Sequence, residues 1–262
     1  METLLGYFEY LHFLVRCLRY RFRTEKLQIR TLMMLDLSGA TVIDIGANKG
    51  IYCFWMTHAV GAQGHVLAFE PQPEMRDYIE RRKAQLRWQN LTLFNVALSS
   101  TEGSAQLARQ KIGDGSASLE ASRRCGQTIV VPITTLDRIE NVENLKFIKC
   151  DVEGHEYDVF CGAEQTIRRF RPIVQFEARS DKTASLFSFF RGIGYSGVMF
   201  LGDKYLHYSN PNRIPHYKFG QSGHRDFLFF PREALGSIIP DELSRSFPPE
   251  CLTFPEAKPG EP

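Results

Sequence analysis

Asp44-Ile-Gly46-Ala-Asn48-Lys-Gly50 stands where an apolar strand pattern stops and a helical one starts. No other stretch narrows the folding options of this chain as far. Glycines at such a junction let the backbone come close to a ligand, and the first amides of the helix stay free to bind it. A strand, a glycine-bearing turn and a helix make the first βα unit of a doubly wound sheet, the place where nucleotides bind.

The rest of the chain keeps that rhythm. Thr41–Ile45, His65–Phe69, Leu91–Val96, Leu145–Cys150, Ile173–Phe176, Val198–Leu201 and Asp226–Phe230 are predicted strands. Helical stretches are predicted over Gly50–Ala59, Glu74–Leu86, Tyr157–Phe170 and Leu186–Arg191. Strands separated by helices imply an α/β fold with a mostly parallel sheet, here finished by an antiparallel C-terminal strand. Two strand-like pieces, Ser104–Leu107 and Thr128–Ile133, interrupt the alternation, and the Gly/Ser-rich stretch 113–118 lies between them. That stretch is either a lid over a site or a surface connection. The expected division is an N-terminal helical extension over 1–40, the main domain over 41–231 and a Pro-rich, poorly ordered tail over 232–262.

In the extension, Leu4, Leu5, Phe8, Leu11, Val15 and Leu18 recur at helical spacing, and Arg16, Arg19, Arg21 and Arg23 overlap and follow them. The sharper reading is a helix lying on a membrane surface. The ordinary one, adopted as the expectation, is a helix whose stripe packs on the main domain while its arginines are solvated. Charges interrupt the run too often for a membrane span, and no basic region or cleavage site marks a signal peptide. Six cysteines without C-x-x-C spacing argue against a zinc site or a disulfide framework. A reduced, cytoplasmic protein is the expectation. The 32 basic and 30 acidic residues nearly cancel, which speaks against a nucleic-acid partner.

The ligand follows from the charges around the first turn. Asn48 replaces the second glycine of a G-x-G-x-x-G pattern, which leaves less room for a pyrophosphate. Asp44 would repel a phosphate but attract an ammonium and a sulfonium. Glu70 closes the second strand, where a carboxylate accepts hydrogen bonds from both ribose hydroxyls. A ribose without phosphates, joined to a cationic tail, describes S-adenosylmethionine.

These residues resemble the FkbM-type methyltransferases. The resemblance runs through Val42–Tyr52, Ala68–Pro73, Asn95–Ser99, Ser116–Leu119, Thr135–Asp137, Phe147–Glu156 and Arg171–Glu177. It implies a Rossmann-like class I methyltransferase fold and O-methyl transfer to a small molecule or glycan. It also implies that Asp44, Gly46, Asn48 and Gly50 hold the methionine portion, that Glu70 meets the ribose, and that Asn95, Val96 and Ala97 flank the adenine; Ala47, Tyr52 and Pro71 are further cofactor-binding candidates beside them.

Methyl transfer to a hydroxyl needs alignment and removal of a proton. Asp151, Glu153 and His155, at the carboxyl end of a central strand, are the candidates, and the sequence does not choose among them. Asp151 also faces the cofactor. Tyr52 and Trp55 offer ring faces for a sulfonium. No metal is expected; Asp151 and Glu177 would be the ligands if one were used. Two other readings carry different chemistry: a nucleic-acid or protein methyltransferase, against which the absence of an N/D/S-P-P-aromatic motif counts, and a non-catalytic binder of the same cofactor.

Overall fold

The computed structural model describes residues 2–120, 126–179, 182–208 and 224–255, with the side chains of residues 2–5, 179 and 224 left out. Strands β1 (Thr41–Ile45), β2 (His65–Phe69) and β3 (Leu91–Phe94) alternate with helices α3 (Ile51–Val60) and α4 (Pro73–Leu86), after an N-terminal pair α1 (Glu2–Arg19) and α2 (Lys26–Met34). The short β4 (Ala97–Leu98) joins β5 (Gly103–Arg109) and β6 (Gln127–Thr134) in a separate three-stranded sheet. Then come β7 (Leu145–Cys150), α5 (Glu156–Cys161), α6 (Glu164–Phe170), β8 (Ile173–Arg179), α7 (Thr183–Gly192), β9 (Tyr195–Leu201), β10 (Lys204–His207), β11 (His224–Pro231) and α8 (Asp241–Ser244).

The main sheet runs β10-β9-β11-β8-β7-β1-β2-β3. From β8 to β3 all neighbours are parallel; β11 is antiparallel to both β8 and β9. This is the Rossmann-like class I methyltransferase architecture. Strand order reverses between β1 and β7, so a crevice opens at the carboxyl ends of those strands.

Three local differences from the sequence reading have physical causes. The helix expected over Tyr157–Phe170 is two helices. Gly162 breaks it, because a Cβ there would stand 2.0 Å from the carbonyl oxygen of Ser99, and Asp137 caps the second segment by accepting from the amides of Gln165 and Thr166. The third strand stops at Phe94, since Asn95 turns its amide back onto the carbonyls of Glu70 and Pro71. The Pro-rich tail is packed over residues 232–255. Ile239, Leu243, Phe247 and Cys251 are buried against the main sheet, and Phe247 stacks on Phe230 at 5.4 Å. Prolines there separate short turns whose apolar residues all face inward; Pro259 and Pro262 lie outside the described residues.

The N-terminal helix also differs from expectation. It does pack on the domain, but through Phe13 and Cys17, which are buried. Phe13 sits edge-on against Phe54, Tyr78 and Trp88. Of the stripe picked out by periodicity, Phe8, Leu11, Val15 and Leu18 form the exposed face, and the side chains of Leu4 and Leu5 lie outside the described residues. A five-residue π-helical turn, Tyr20–Thr24, carries the chain from α1 to α2. No described helix is long and apolar enough to cross a membrane.

Candidate active site

Side chains alternate across a strand, so one face of the sheet near its carboxyl edge receives Asp44 from β1, Lys149 from β7, Gln175 and Glu177 from β8 and Asp226 from β11. Asp44, Lys149 and Gln175 stand in one cross-strand register. Over this row lie Tyr52 of α3 and Glu25, at the start of α2. The Lys149 ammonium is 2.9 Å from Oδ2 of Asp151 and 4.4 Å from the centre of the Tyr52 ring. The Tyr52 hydroxyl donates to Glu25 (2.5 Å) and accepts from the Gln175 amide (2.8 Å). Gln28 donates to Asp226 at 2.7 Å.

One cation therefore serves several carboxylates. Burial by itself would lower the Lys149 pKa, but Asp151, Glu25 and Asp44 together outweigh it and hold the ammonium above the usual lysine value. Burial raises the carboxyls of Glu25 and Asp44. It raises Asp226 well above the carboxylate range, helped by the nearby charges of Glu25 and Glu177.

The crevice encloses about 370 Å³. Its floor is the turn after β1. Gly46 has φ +80°, and a Cβ on it would fall 2.0 Å from the carbonyl oxygen of Asp151, so the glycine is required by the approach of β7 to the turn. The amides of Gly46 and Ala47 donate to the Phe69 carbonyl, which leaves the Asn48 amide to donate to Oε2 of Glu70 at 2.7 Å. Oε1 of Glu70 accepts from the Gln72 amide at 2.9 Å. Burial pushes the Glu70 carboxyl up to about 7.

Among the sequence-predicted residues, Asp44, Gly46, Ala47, Asn48, Tyr52, Glu70, Pro71, Val96, Ala97, Asp151, Glu153, His155 and Glu177 line this one cavity. Gly50 and Asn95 do not. Gly50 starts α3 with φ +73° and faces Ile79, and Asn95 braces the turn after β2. Trp55 lies away from the cavity too, its indole donating to the Cys17 carbonyl. The Tyr52 face suggested for a sulfonium carries the Lys149 ammonium instead.

Both ring nitrogens of His155 are engaged. Nε2 lies 2.9 Å from Ser99 Oγ and Nδ1 lies 2.9 Å from Oε1 of Glu120. In this arrangement neither nitrogen is open to an acceptor's proton. Glu153 adopts φ +56°, and its carbonyl accepts from Ser118. Asp151 keeps one carboxylate oxygen on Lys149. Glu120, His155 and Asp158 form the one group of three or more acidic, His or Cys donors close enough for a metal among the described residues; Asp151 and Glu177 belong to none. The Gly/Ser-rich stretch is a wall of the cavity, where Asp114, Gly115, Ala117 and Leu119 face inward. It is tied down at Gln72, which donates to the Asp114 carbonyl, and at Glu153 and His155.

Lys149, Glu25, Arg16 and Tyr20 also line the cavity and escaped the sequence reading. A signal existed for Lys149, a charge set between apolar Ile148 and Cys150 at the carboxyl end of the strand, two residues before Asp151. Glu25 had none, since no local pattern brings the start of α2 over the main sheet.

The cavity fits S-adenosylmethionine. Two backbone donors fix the Glu70 carboxylate and leave lone pairs for a ribose diol. Apolar Val96, Leu98, Leu107, Ala117 and Leu119 can sandwich a base, and the acidic row can face a cation.

The Methyltransferase FkbM domain model matches residues 44–196. The chain belongs to the FkbM methyltransferase family and is an S-adenosylmethionine-dependent methyltransferase. A search of curated proteins finds no match. Among solved structures, methyltransferase FkbM from Methylobacillus flagellatus is 17% identical with a TM-score of 0.52, covering 75% of this chain. The chain spans 45% of the length of that protein. An rRNA methylase from Streptococcus thermophilus (10% identity, TM-score 0.44, 78% and 93% of the two chains) is also similar. So is SMU.1697c from Streptococcus mutans, solved with S-adenosylhomocysteine (10% identity, TM-score 0.46, 79% and 97%).

Proposed function

We propose that the protein transfers the methyl group to a hydroxyl of a small molecule or glycan. The observation that carries this reading is the roof of the cavity. Arg16, Tyr20 and Glu25, from the N-terminal segment, line the same cavity as Asp151 and Glu177, which measures about 370 Å³ in all. That space is at the small end of ligand sites and suits the cofactor plus one slender acceptor group. Its walls alternate carboxylates, a guanidinium and a phenol, which match a polyhydroxyl acceptor with hydrogen bonds in both directions.

The cofactor supplies an electrophilic methyl group on a sulfonium. The chain's own residues orient, exclude water and move one proton. Lys149 holds Oδ2 of Asp151, so the second oxygen of that carboxylate has a fixed direction. There it accepts the proton of the attacking hydroxyl. Tyr52 and Glu25 fix the position of Lys149. Alignment of the oxygen with the methyl then provides most of the acceleration.

The test is incubation of the protein with deuterated-methyl S-adenosylmethionine and separated metabolite, glycan, RNA and protein fractions. Mass spectrometry should find the label as a methyl ether in the metabolite or glycan fraction. Label confined to RNA or protein would overturn the reading.

A further inference from the structure

Among the described residues, most of the exposed large apolar side chains lie on the N-terminal helix and the π-helical turn that follows it. Phe8 is 61% exposed, Val15 61% and Phe22 63%, with Leu11 and Leu18 between them. Positions 8, 11, 15, 18 and 22 advance by three and four, so they form one continuous stripe along α1 and the π-helical turn. Tyr7, next to Phe8 on the same helix, is also exposed; the other large apolar groups exposed among the described residues, Ile112, Val130 and Tyr157, are scattered. Isolated exposed hydrophobes are ordinary, but a contiguous row marks a contact surface. The helix has already spent its other face on the domain through Phe13 and Cys17, so the stripe is additional to the packing.

Charge identifies what covers it. Between residues 10 and 24 the segment has four arginines and no acidic residue. Glu9 turns to the domain, where it pairs with Arg82 at 3.2 Å. Arg19 and Arg23 are exposed and each follows a stripe residue, so they flank the row one helical step around. The Arg21 guanidinium lies 5.5 Å from the centre of the Phe22 ring. An apolar row edged by arginines matches a layered surface, hydrocarbon beneath and phosphate at the rim. A second copy of this chain would bring a second set of arginines to the seam without acids to meet them.

We infer that the N-terminal helix docks the protein on an anionic lipid bilayer, with Phe8, Val15, Leu18 and Phe22 in the headgroup–acyl boundary and Arg19 and Arg23 on lipid phosphates. Docking is peripheral, because no described helix can span. The same helix contributes Arg16 to the cavity wall, and Tyr20 follows it. The membrane-facing element and the roof of the acceptor site are therefore one piece of structure, and the reaction takes place beside the lipid surface.

The experiment is co-sedimentation of the full chain with vesicles of phosphatidylcholine alone and of phosphatidylcholine containing phosphatidylserine, at low and high salt. Binding is expected to the anionic vesicles only and to weaken with salt. Phe8→Ser with Val15→Ser and Phe22→Ser should lower the partition coefficient by at least about tenfold, while S-adenosylhomocysteine affinity by calorimetry stays unchanged. Should that triple variant fail to fold, Arg19→Glu with Arg23→Glu gives the same loss through charge alone. The proposal is overturned if the wild-type chain does not sediment with anionic vesicles at low salt, or if the variants bind them equally. It is also overturned if ultracentrifugation shows a dimer that the triple variant dissolves. None of these readouts depends on the acceptor being a hydroxyl.

Discussion

Lys149 stands beside Asp44 in the neighbouring strand and reaches along its own strand to Asp151, with its ammonium 2.9 Å from that carboxylate. It is the hub of the site's charge balance. Lys149→Met removes the cation and leaves Asp44 and Asp151 facing each other without compensation. Removing one partner of a buried pair costs about 3–5 kcal/mol. Asp151 is partly exposed, so the lower end applies. Thermal unfolding should show the loss, and turnover should fall because Asp151 loses its fixed direction. A Lys149→Met protein of unchanged Tm would show that the carboxylates are neutralised without the lysine.

Glu70 makes the apo protein and the cofactor complex respond to pH in opposite ways. Its carboxyl is raised to about 7 by burial. A group raised in the folded state contributes stability that is present below its ordinary value and is lost as pH rises through the folded value. A bound ribose diol donates to the ionised form and so favours it. Affinity for S-adenosylhomocysteine should therefore rise as pH increases toward about 7, by at most tenfold per unit, and level off above. Calorimetry across that range measures it. Glu70→Gln should bind more weakly at high pH and lack the slope; a slope that survives in the variant would have to come from another group, such as Asp44.

The strand–turn–helix units were legible because burial on both faces forces continuous apolar runs in the parallel strands, and Asp44 and Glu70 then had to fall at adjacent strand ends. What the sequence concealed was set by long-range contact. The stripe on α1 looks the same in sequence whether it faces the core or the solvent, and only the three aromatic partners of Phe13 decide the matter. The family resemblance implied an adenine contact at Asn95, yet its amide satisfies two carbonyls of the turn next door. His155 looked like a free base, and its partners Ser99 and Glu120 come from distant segments.

Gly46 offers a test of the architecture that needs no substrate. At φ +80°, with the Asp151 carbonyl oxygen 2.0 Å from where a Cβ would be, Gly46→Ala must both strain its backbone and push β7 away from the turn. Strain of this kind costs about 1–3 kcal/mol, and overpacking a similar amount. Denaturant unfolding should record a clear loss of stability. Cofactor affinity should fall with it, because the shift moves Asp151. Gly39, at φ +66° but with open space around its Cβ, isolates the backbone part when changed to Ala.

His155 and Glu120 clasp the cavity wall to the start of α5. The hydrogen bond from His155, with Lys182 3.7 Å from the other oxygen, holds the Glu120 carboxyl below its ordinary value. A depressed carboxyl contributes stability above its ordinary value and loses it as pH falls through the folded one. Amide protection over residues 116–120, corrected for intrinsic exchange, should therefore persist at the ordinary glutamate value and fade only as pH falls further. In Glu120→Gln it should be weaker at neutral pH and nearly insensitive to acid. His155→Ala should loosen the same amides and raise KM for the cofactor, as expected of a residue that holds a wall in place. Were His155 instead the group that takes the acceptor's proton, the alanine variant would lose kcat with the wall still protected and KM unmoved. The two measurements together separate the roles.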